Sequence, residues 1–99
     1  MNVRFTKQQL EDWYTGNFTG KQPFNSEVLK QYRKVVNQLS AASNLATLRT
    51  IKGLNLHELK RDLAGKYAVR VNKQYRIVFT WTKDGSLEII DIDDLTDYH

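Results

Sequence analysis

The sequence predicts a small α+β domain, with helices packed on one face of an antiparallel sheet, in the order β-α-α-β-β-β. Three observations lead there. Residues 66–81, KYAVRVNKQYRIVFTW, hold two runs rich in β-branched and aromatic residues around a short polar segment, which is a hairpin pattern. Between Val28 and Leu39, apolar residues recur at helical spacing. A length of 99 residues gives one modest core and no room for a second, so residues 1–99 are read as a single domain.

Taken in order, Val3–Phe5 reads as a short strand. Thr6 with Gln9 three positions on has the form of a capping box, after which Leu10, Trp13 and Tyr14 share a helical face until Gly16 stops it. Residues 17–24, with Gly20 and the only proline, form a loop. Asn25 or Ser26 caps the clearest helix, whose buried stripe is Val28, Tyr32, Val35, Val36 and Leu39 and whose end falls near Ala42. Leu45, Leu48 and Ile51 add one or two turns before Gly53. The segment 53–65 is expected to be an irregular loop rather than a frayed strand. After the hairpin, Lys83-Asp84-Gly85-Ser86 makes a turn, and Leu87–Ile92 returns antiparallel to Tyr75–Trp81. In that last strand Leu87 and Ile89 oppose Ile90 and Ile92, so it is either covered on both faces or bulged.

Alternation in the hairpin puts Tyr67, Val69, Val71, Tyr75, Ile77, Phe79 and Trp81 on one face. The simplest register that keeps this face intact pairs Val71 with Tyr75, which sets Arg70 opposite Arg76. Facing like charges are destabilising, so a bound polyanion explains them better than solubility does.

Charge is unevenly placed. Residues 1–83 hold all 15 Lys and Arg against five acids, whereas residues 84–99 hold six acids and no Lys or Arg. A basic body suits phosphate contacts, and an acidic tail can fold back on it. There is no cysteine, hence no disulfide or thiolate site. No run approaches the length of a membrane span and the N-terminus lacks a signal-peptide core, so the expectation is a cytoplasmic protein with no membrane partner.

The two histidines are His57 and His99. Imidazole is the usual acid or base near neutral pH, although the plainer reading of His57 is a loop histidine bonded to backbone. Tyr98 beside His99 is an amphipathic side chain able to dock the tail. Lys60, with Arg70 and Arg76, would neutralise a phosphate that gains charge during reaction. Asp91, Asp93, Asp94 and Asp97 fit no metal-ligand spacing and read as solvated tail charge; no metal or other cofactor is expected. Phosphate-loop, dinucleotide, nucleophile-elbow and paired-histidine zinc motifs do not occur.

Leu56-His57-Glu58-Leu59-Lys60, the run Gly65–Phe79 and the closing Asp97-Tyr98-His99 together resemble the HigB toxins of the RelE superfamily. The resemblance covers nearly half the chain. It implies a microbial-RNase-like α+β fold and an mRNA endoribonuclease that cuts in the A site of the 70S ribosome without a metal. It also implies a cognate HigA-like helix-turn-helix antitoxin, through which alone the toxin would reach operator DNA. By position, His57 and His99 match catalytic histidines, with Asp97 and Tyr98 beside the latter, Lys60 a basic active-site residue and Arg76 the sheet arginine. Arg70, Lys73 and Arg61 are added as RNA contacts. Competing readings are a ParE-like gyrase poison, a non-catalytic relative that binds antitoxin or nucleic acid, and a metal-dependent nuclease using the aspartates.

Overall fold

Alternating apolar residues draw the strands into one sheet, described in a computed structural model over residues 1–97. The strands are β1 (Asn2–Phe5), β2 (His57–Glu58), β3 (Lys66–Arg70), β4 (Tyr75–Asp84) and β5 (Leu87–Asp97). The helices are α1 (Gln8–Thr15), α2 (Ser26–Ala41) and α3 (Leu45–Arg49), and a single 3-10 turn, Arg61–Leu63, joins β2 to β3. Across the sheet the order is β1-β5-β4-β3-β2.

The fold class is as predicted, with one difference in the sheet. β1 runs parallel to β5, whereas the other pairings are antiparallel, so the sheet is mixed. The chain leaves β1 directly into α1 and has no hairpin partner for it. After the helices cross, β1 takes the open edge of β5, placing Val3 beside Ile90 and Phe5 beside Ile92.

The hairpin register is the predicted one, with Arg70 opposite Arg76 and Val69 opposite Ile77. Its apolar face forms the core. Val69, Ile77, Phe79, Ile90 and Ile92 are fully buried together with Tyr32, Val36 and Leu39 of α2. Burial of each such side chain stabilises by roughly 1.5–3 kcal/mol.

α2 starts at Asn25, whose side chain accepts from Val28 N at 2.9 Å, and ends with Ala42 as its C-cap. Two bonds fasten it to α1: Tyr32 donates to Leu10 O at 2.8 Å and Arg33 Nη1 to Trp13 O at 3.1 Å. Burial pushes the Tyr32 phenol pKa well up. Thr6 is not the cap of α1. Its hydroxyl and its N–H both donate to Ile92 O, at 3.1 and 3.0 Å, so it prolongs the β1–β5 ladder, and Lys7 is left at the N-cap without a side-chain bond. Gly16 stops α1 as expected, at φ 83°.

β5 is longer than predicted because Asp93–Asp97 continues the strand instead of forming a tail. A bulge at Asp93 shifts the register, pairing Val78 with Asp94 but Phe79 with Ile92. The bulge restores the inward direction at Leu95, which is buried. It does not account for Leu87 and Ile89, which pair with Asp84 and Thr82 at the bare end of the sheet, where Leu87 is 49% exposed.

The segment 53–65 is also more ordered than a loop. His57 and Glu58 pair with Ala68 and Tyr67, and Leu59 N donates to Lys66 O at 2.8 Å. The strand itself is only two residues long, too short for alternation to register in the sequence. Among the described residues, no helix is long and apolar enough to cross a membrane.

Candidate active site

Among the described residues, α1, α2 and α3 pack on one face of the sheet, and the other carries only the 3-10 turn, whose Leu63 reaches Arg76 and Val78. Directly paired residues point to the same side, so three rows cross this outer face. The central row is His57, Ala68, Val78 and Asp94. Beside it lies Arg70, Arg76 and Thr96, and on its other flank Lys66, Thr80, Asp91 and Arg4. Ala68 and Val78 form a tightly packed apolar floor, 0% and 6% exposed. Ladder spacings put the Cα atoms of His57 and Arg76 about 12 Å apart. A phosphodiester lying over the floor falls within reach of both side chains.

His57 is exposed, and its Nδ1 lies 3.0 Å from Asn55 O, so the expected backbone bond is present. Arg70 and Arg76 are half-buried, and Arg70 Nε donates to Asn72 O at 3.1 Å. Lys60 and Arg61 are exposed at the start of the 3-10 turn, where Arg61 adopts φ 61°. Lys73 is exposed at the hairpin turn, which Asn72 Oδ1 shapes by accepting from Gln74 N and Tyr75 N at 2.8 Å each.

Asp97 pairs with Tyr75 and so points to the helix side, away from the Arg76 row; Gln74 Nε2 reaches its carboxylate at 3.3 Å. Tyr98 and His99 lie outside the described residues. The sheet thus brings together His57, Arg70 and Arg76, with Lys60 and Arg61 at one end of the face and Lys73 at the other.

Sequence reasoning missed part of this surface. Leu63, Lys66, Asp93, Asp94 and Thr96 line a groove of about 290 Å³ with Arg76 and Val78. Two cations and two carboxylates nearly cancel within it. Lys66 Nζ sits 2.7 Å from Asp93 Oδ2, and Thr80 Oγ1 donates to the same oxygen at 2.7 Å. One row edge further, Arg4 grips Asp91 through two bonds, at 2.8 and 3.0 Å. That hydrogen-bonded guanidinium holds the Asp91 carboxyl below its usual range, and the carboxylate raises Arg4 in turn. Asp91 and Asp93 are therefore paired strand charges and not solvated tail, whereas Asp94 is exposed. The signal of the strand was the alternation of Ile90, Ile92 and Leu95, interrupted by one residue.

A second groove, of about 190 Å³, lies between α2 and β3. Lys34, Lys52 and Arg70 line it together with the amides of Gln31 and Gln38, and no carboxylate is among its lining residues. The outward position of Lys34 was legible from helical spacing; its meeting with Lys52 was not. Among the described residues, no group of three or more His, Cys, Asp or Glu is placed to hold a metal ion.

Comparison with known proteins bears on the family and the fold. Residues 3–99 match the family model described as the RelE-like toxin of the type II toxin–antitoxin system HigB. The Toxin HigB-1 of Vibrio cholerae is 32% identical over 81 residues, spanning 82% of this chain and 84% of that protein. In fold, the chain is similar to a YoeB/ParE toxin from Agrobacterium tumefaciens, with a TM-score of 0.64 at 15% identity and full coverage of both chains. It is also similar to a chain of the YoeB–YefM complex from Staphylococcus aureus, with a TM-score of 0.60 at 23% identity, covering 100% of this chain and 97% of that one. A family model matched over nearly the whole chain and a relative 32% identical over most of it, on this fold, lead to one conclusion: the chain belongs to the HigB-like toxins of the RelE family of type II toxin–antitoxin systems.

Proposed function

We propose that this toxin is a ribosome-dependent mRNA endoribonuclease, and that a cognate HigA-like helix-turn-helix antitoxin neutralises it. The observation that carries the reading is the outer face, where His57 and the facing Arg70 and Arg76 flank an apolar floor. In the reaction a base takes the 2′-OH proton and the freed oxygen attacks phosphorus. The 5′ oxygen leaves with a proton from an acid, and a 2′,3′-cyclic phosphate remains. His57 and His99 are the acid–base pair in this reading, with Tyr98 and Lys60 as further site residues; Asp97, on the helix side of the sheet, is not among them. Arg76 and Arg70 bear the charge that builds on the phosphoryl oxygens.

RNA contacts extend from Arg61 and Lys73 at the two ends of the face to the Lys34–Lys52 groove, where the uncompensated charge suits a phosphate backbone. The ribosome supplies the A-site geometry that splays the codon. Operator DNA is reached only through the antitoxin. One structural neighbour is described as a heterotetrameric YoeB–YefM toxin–antitoxin complex, which supports a protein partner of this kind. All partners of this reading are cytoplasmic.

The test is primer extension on a defined mRNA held in programmed ribosomes, comparing wild type with His57→Ala and His99→Ala. A discrete cut in the A-site codon, lost in the variants, is expected. Intact mRNA with a folded wild-type protein would overturn the reading, and DNA damage in expressing cells would then favour gyrase.

A further inference from the structure

We propose that Asn55 is a positioning residue for His57. Its left-handed backbone turns its carbonyl onto the imidazole, and so fixes Nε2 as the nitrogen that exchanges protons. The inference rests on the proposed role of His57 in cleavage and adds how that side chain is aimed.

The edge of the sheet shows why Asn55 is bent. Arg70 N donates to Leu54 O at 2.6 Å, while His57 pairs with Ala68 and Leu59 N with Lys66 O. In the register of the last two pairs, the residue facing Arg70 is Asn55 and not Leu54. The chain therefore carries one extra residue between its two anchor points on β3. Asn55 absorbs it by adopting φ 49°. The left-handed region is costly for most side chains and tolerated by asparagine and glycine, and a left-handed residue is one of the ways in which a strand edge accommodates an extra residue.

The consequence falls on His57. Asn55 O stands 3.0 Å from Nδ1. A carbonyl oxygen only accepts, so Nδ1 carries a hydrogen whether the ring is neutral or charged. Nε2 is then bare in the neutral ring and protonated in the cation. It is the atom available as base or acid towards RNA on the outer face. An exposed histidine with no such partner exchanges between tautomers and rotates freely; this one is held by a carbonyl that is itself locked between Leu54 and β3. The side chain of Asn55 matters through its backbone preference, which makes the idea separable from an ordinary contact.

The experiment reads the imidazole nitrogens by ¹⁵N-correlated NMR of the free full-length protein, at a pH where the rings are neutral. Only two histidines occur, and His57→Ala assigns the signals. Wild type and Asn55→Gly are expected to show His57 as the Nδ1–H tautomer, because glycine keeps the left-handed turn. Asn55→Val, which disfavours it, is expected to shift the ring towards Nε2–H. Asn55→Ala gives a smaller shift in the same direction, and serves if the valine variant does not fold. In programmed ribosomes Asn55→Val should lose roughly 10²-fold in the cleavage step, the scale of a misplaced catalytic group, with ribosome binding retained, and Asn55→Gly should cut like wild type. A wild-type ring in the Nε2–H form, or a ring indifferent to alanine and valine, overturns the proposal. So does an Asn55→Gly variant as inactive as Asn55→Val. A wild type that cuts no RNA overturns the endoribonuclease reading instead, and the tautomer measurement still decides how His57 is held.

Discussion

Arg70 stands directly across the hairpin from Arg76 on the outer face of the sheet. Two guanidinium groups at facing positions repel, a cost of about 0.2–1 kcal/mol that an anion over them removes. Arg70→Gln relieves the repulsion but gives up the bond to Asn72 O. Its unfolding free energy should therefore stay within about 0.5 kcal/mol of wild type in urea titrations. The same variant should bind RNA less tightly, with a salt slope smaller by about one. A slope equal to that of wild type would show that Arg70 meets no phosphate.

Arg76→Ala should lower A-site cleavage by roughly 10²-fold or more, in single-turnover primer extension with ribosome binding unchanged. Arg76→Lys keeps the charge but not the planar fork, so it should recover only part of the rate. Full recovery by lysine would reduce the role of Arg76 to net charge.

Asp93→Asn leaves Lys66 without its carboxylate. The groove beside Arg76 then gains an uncompensated cation, and affinity for a short single-stranded RNA should rise severalfold at low salt. Fluorescence anisotropy across a salt series checks this, because the gain must fade as ionic strength increases. Weaker binding at low salt would mean that the Lys66–Asp93 pair itself shapes the RNA contact.

Acid stability should depend on two carboxylates. Asp91 is lowered chiefly by its hydrogen bond from Arg4, and Glu88 by bonds from Leu45 N and Trp81 Nε1. A carboxyl held below its unfolded value stabilises the fold at neutral pH. That contribution begins to fail as pH drops below about 4 and is gone once the folded-state value is passed. Urea unfolding at pH 7 and near pH 3 should therefore show a flatter acid decline in Asp91→Asn and Glu88→Gln. An unaltered decline in both would locate acid sensitivity elsewhere.

Deleting Asp93 removes the bulge and leaves a regular strand, with Asp94 still opposite Val78 on the outer face and Leu95 still opposite Ile77 in the core. The variant should fold, losing only the ion pair with Lys66 and the local twist of the bulge, and a failure to fold in urea titrations would show that the bulge itself is required. Leu95→Ala, which keeps the register, should cost about 2–5 kcal/mol in the same urea titrations.

The hairpin and α2 were legible because long periodic runs overdetermine them: the register that buries Val69, Ile77 and Phe79 leaves Arg70 and Arg76 no other place. The order of short elements was not. Two paired residues at His57–Glu58 leave no period to read, and Thr6 satisfies both a cap pattern and a ladder position, which only the arrival of Ile92 distinguishes. The acidic segment was misread because one inserted residue at Asp93 breaks the alternation that marks a strand. The site followed the same rule. His57 and the arginines stood out by chemistry, whereas Lys66, Asp94 and Lys34 gained meaning only from neighbours distant in sequence.

The parallel pairing of β1 with β5 also sets the order in which the molecule can form. Residues 2–5 meet residues 89–92, almost the longest separation the chain allows. Until β5 arrives, β1 has no strand partner and β4 keeps an unsatisfied edge. Closure of so wide a loop is slow in entropic terms, and the contacts that reward it come together. A break before Leu87 thus leaves no smaller unit that retains the core, and a protease that releases β5 destroys the whole fold in one cut.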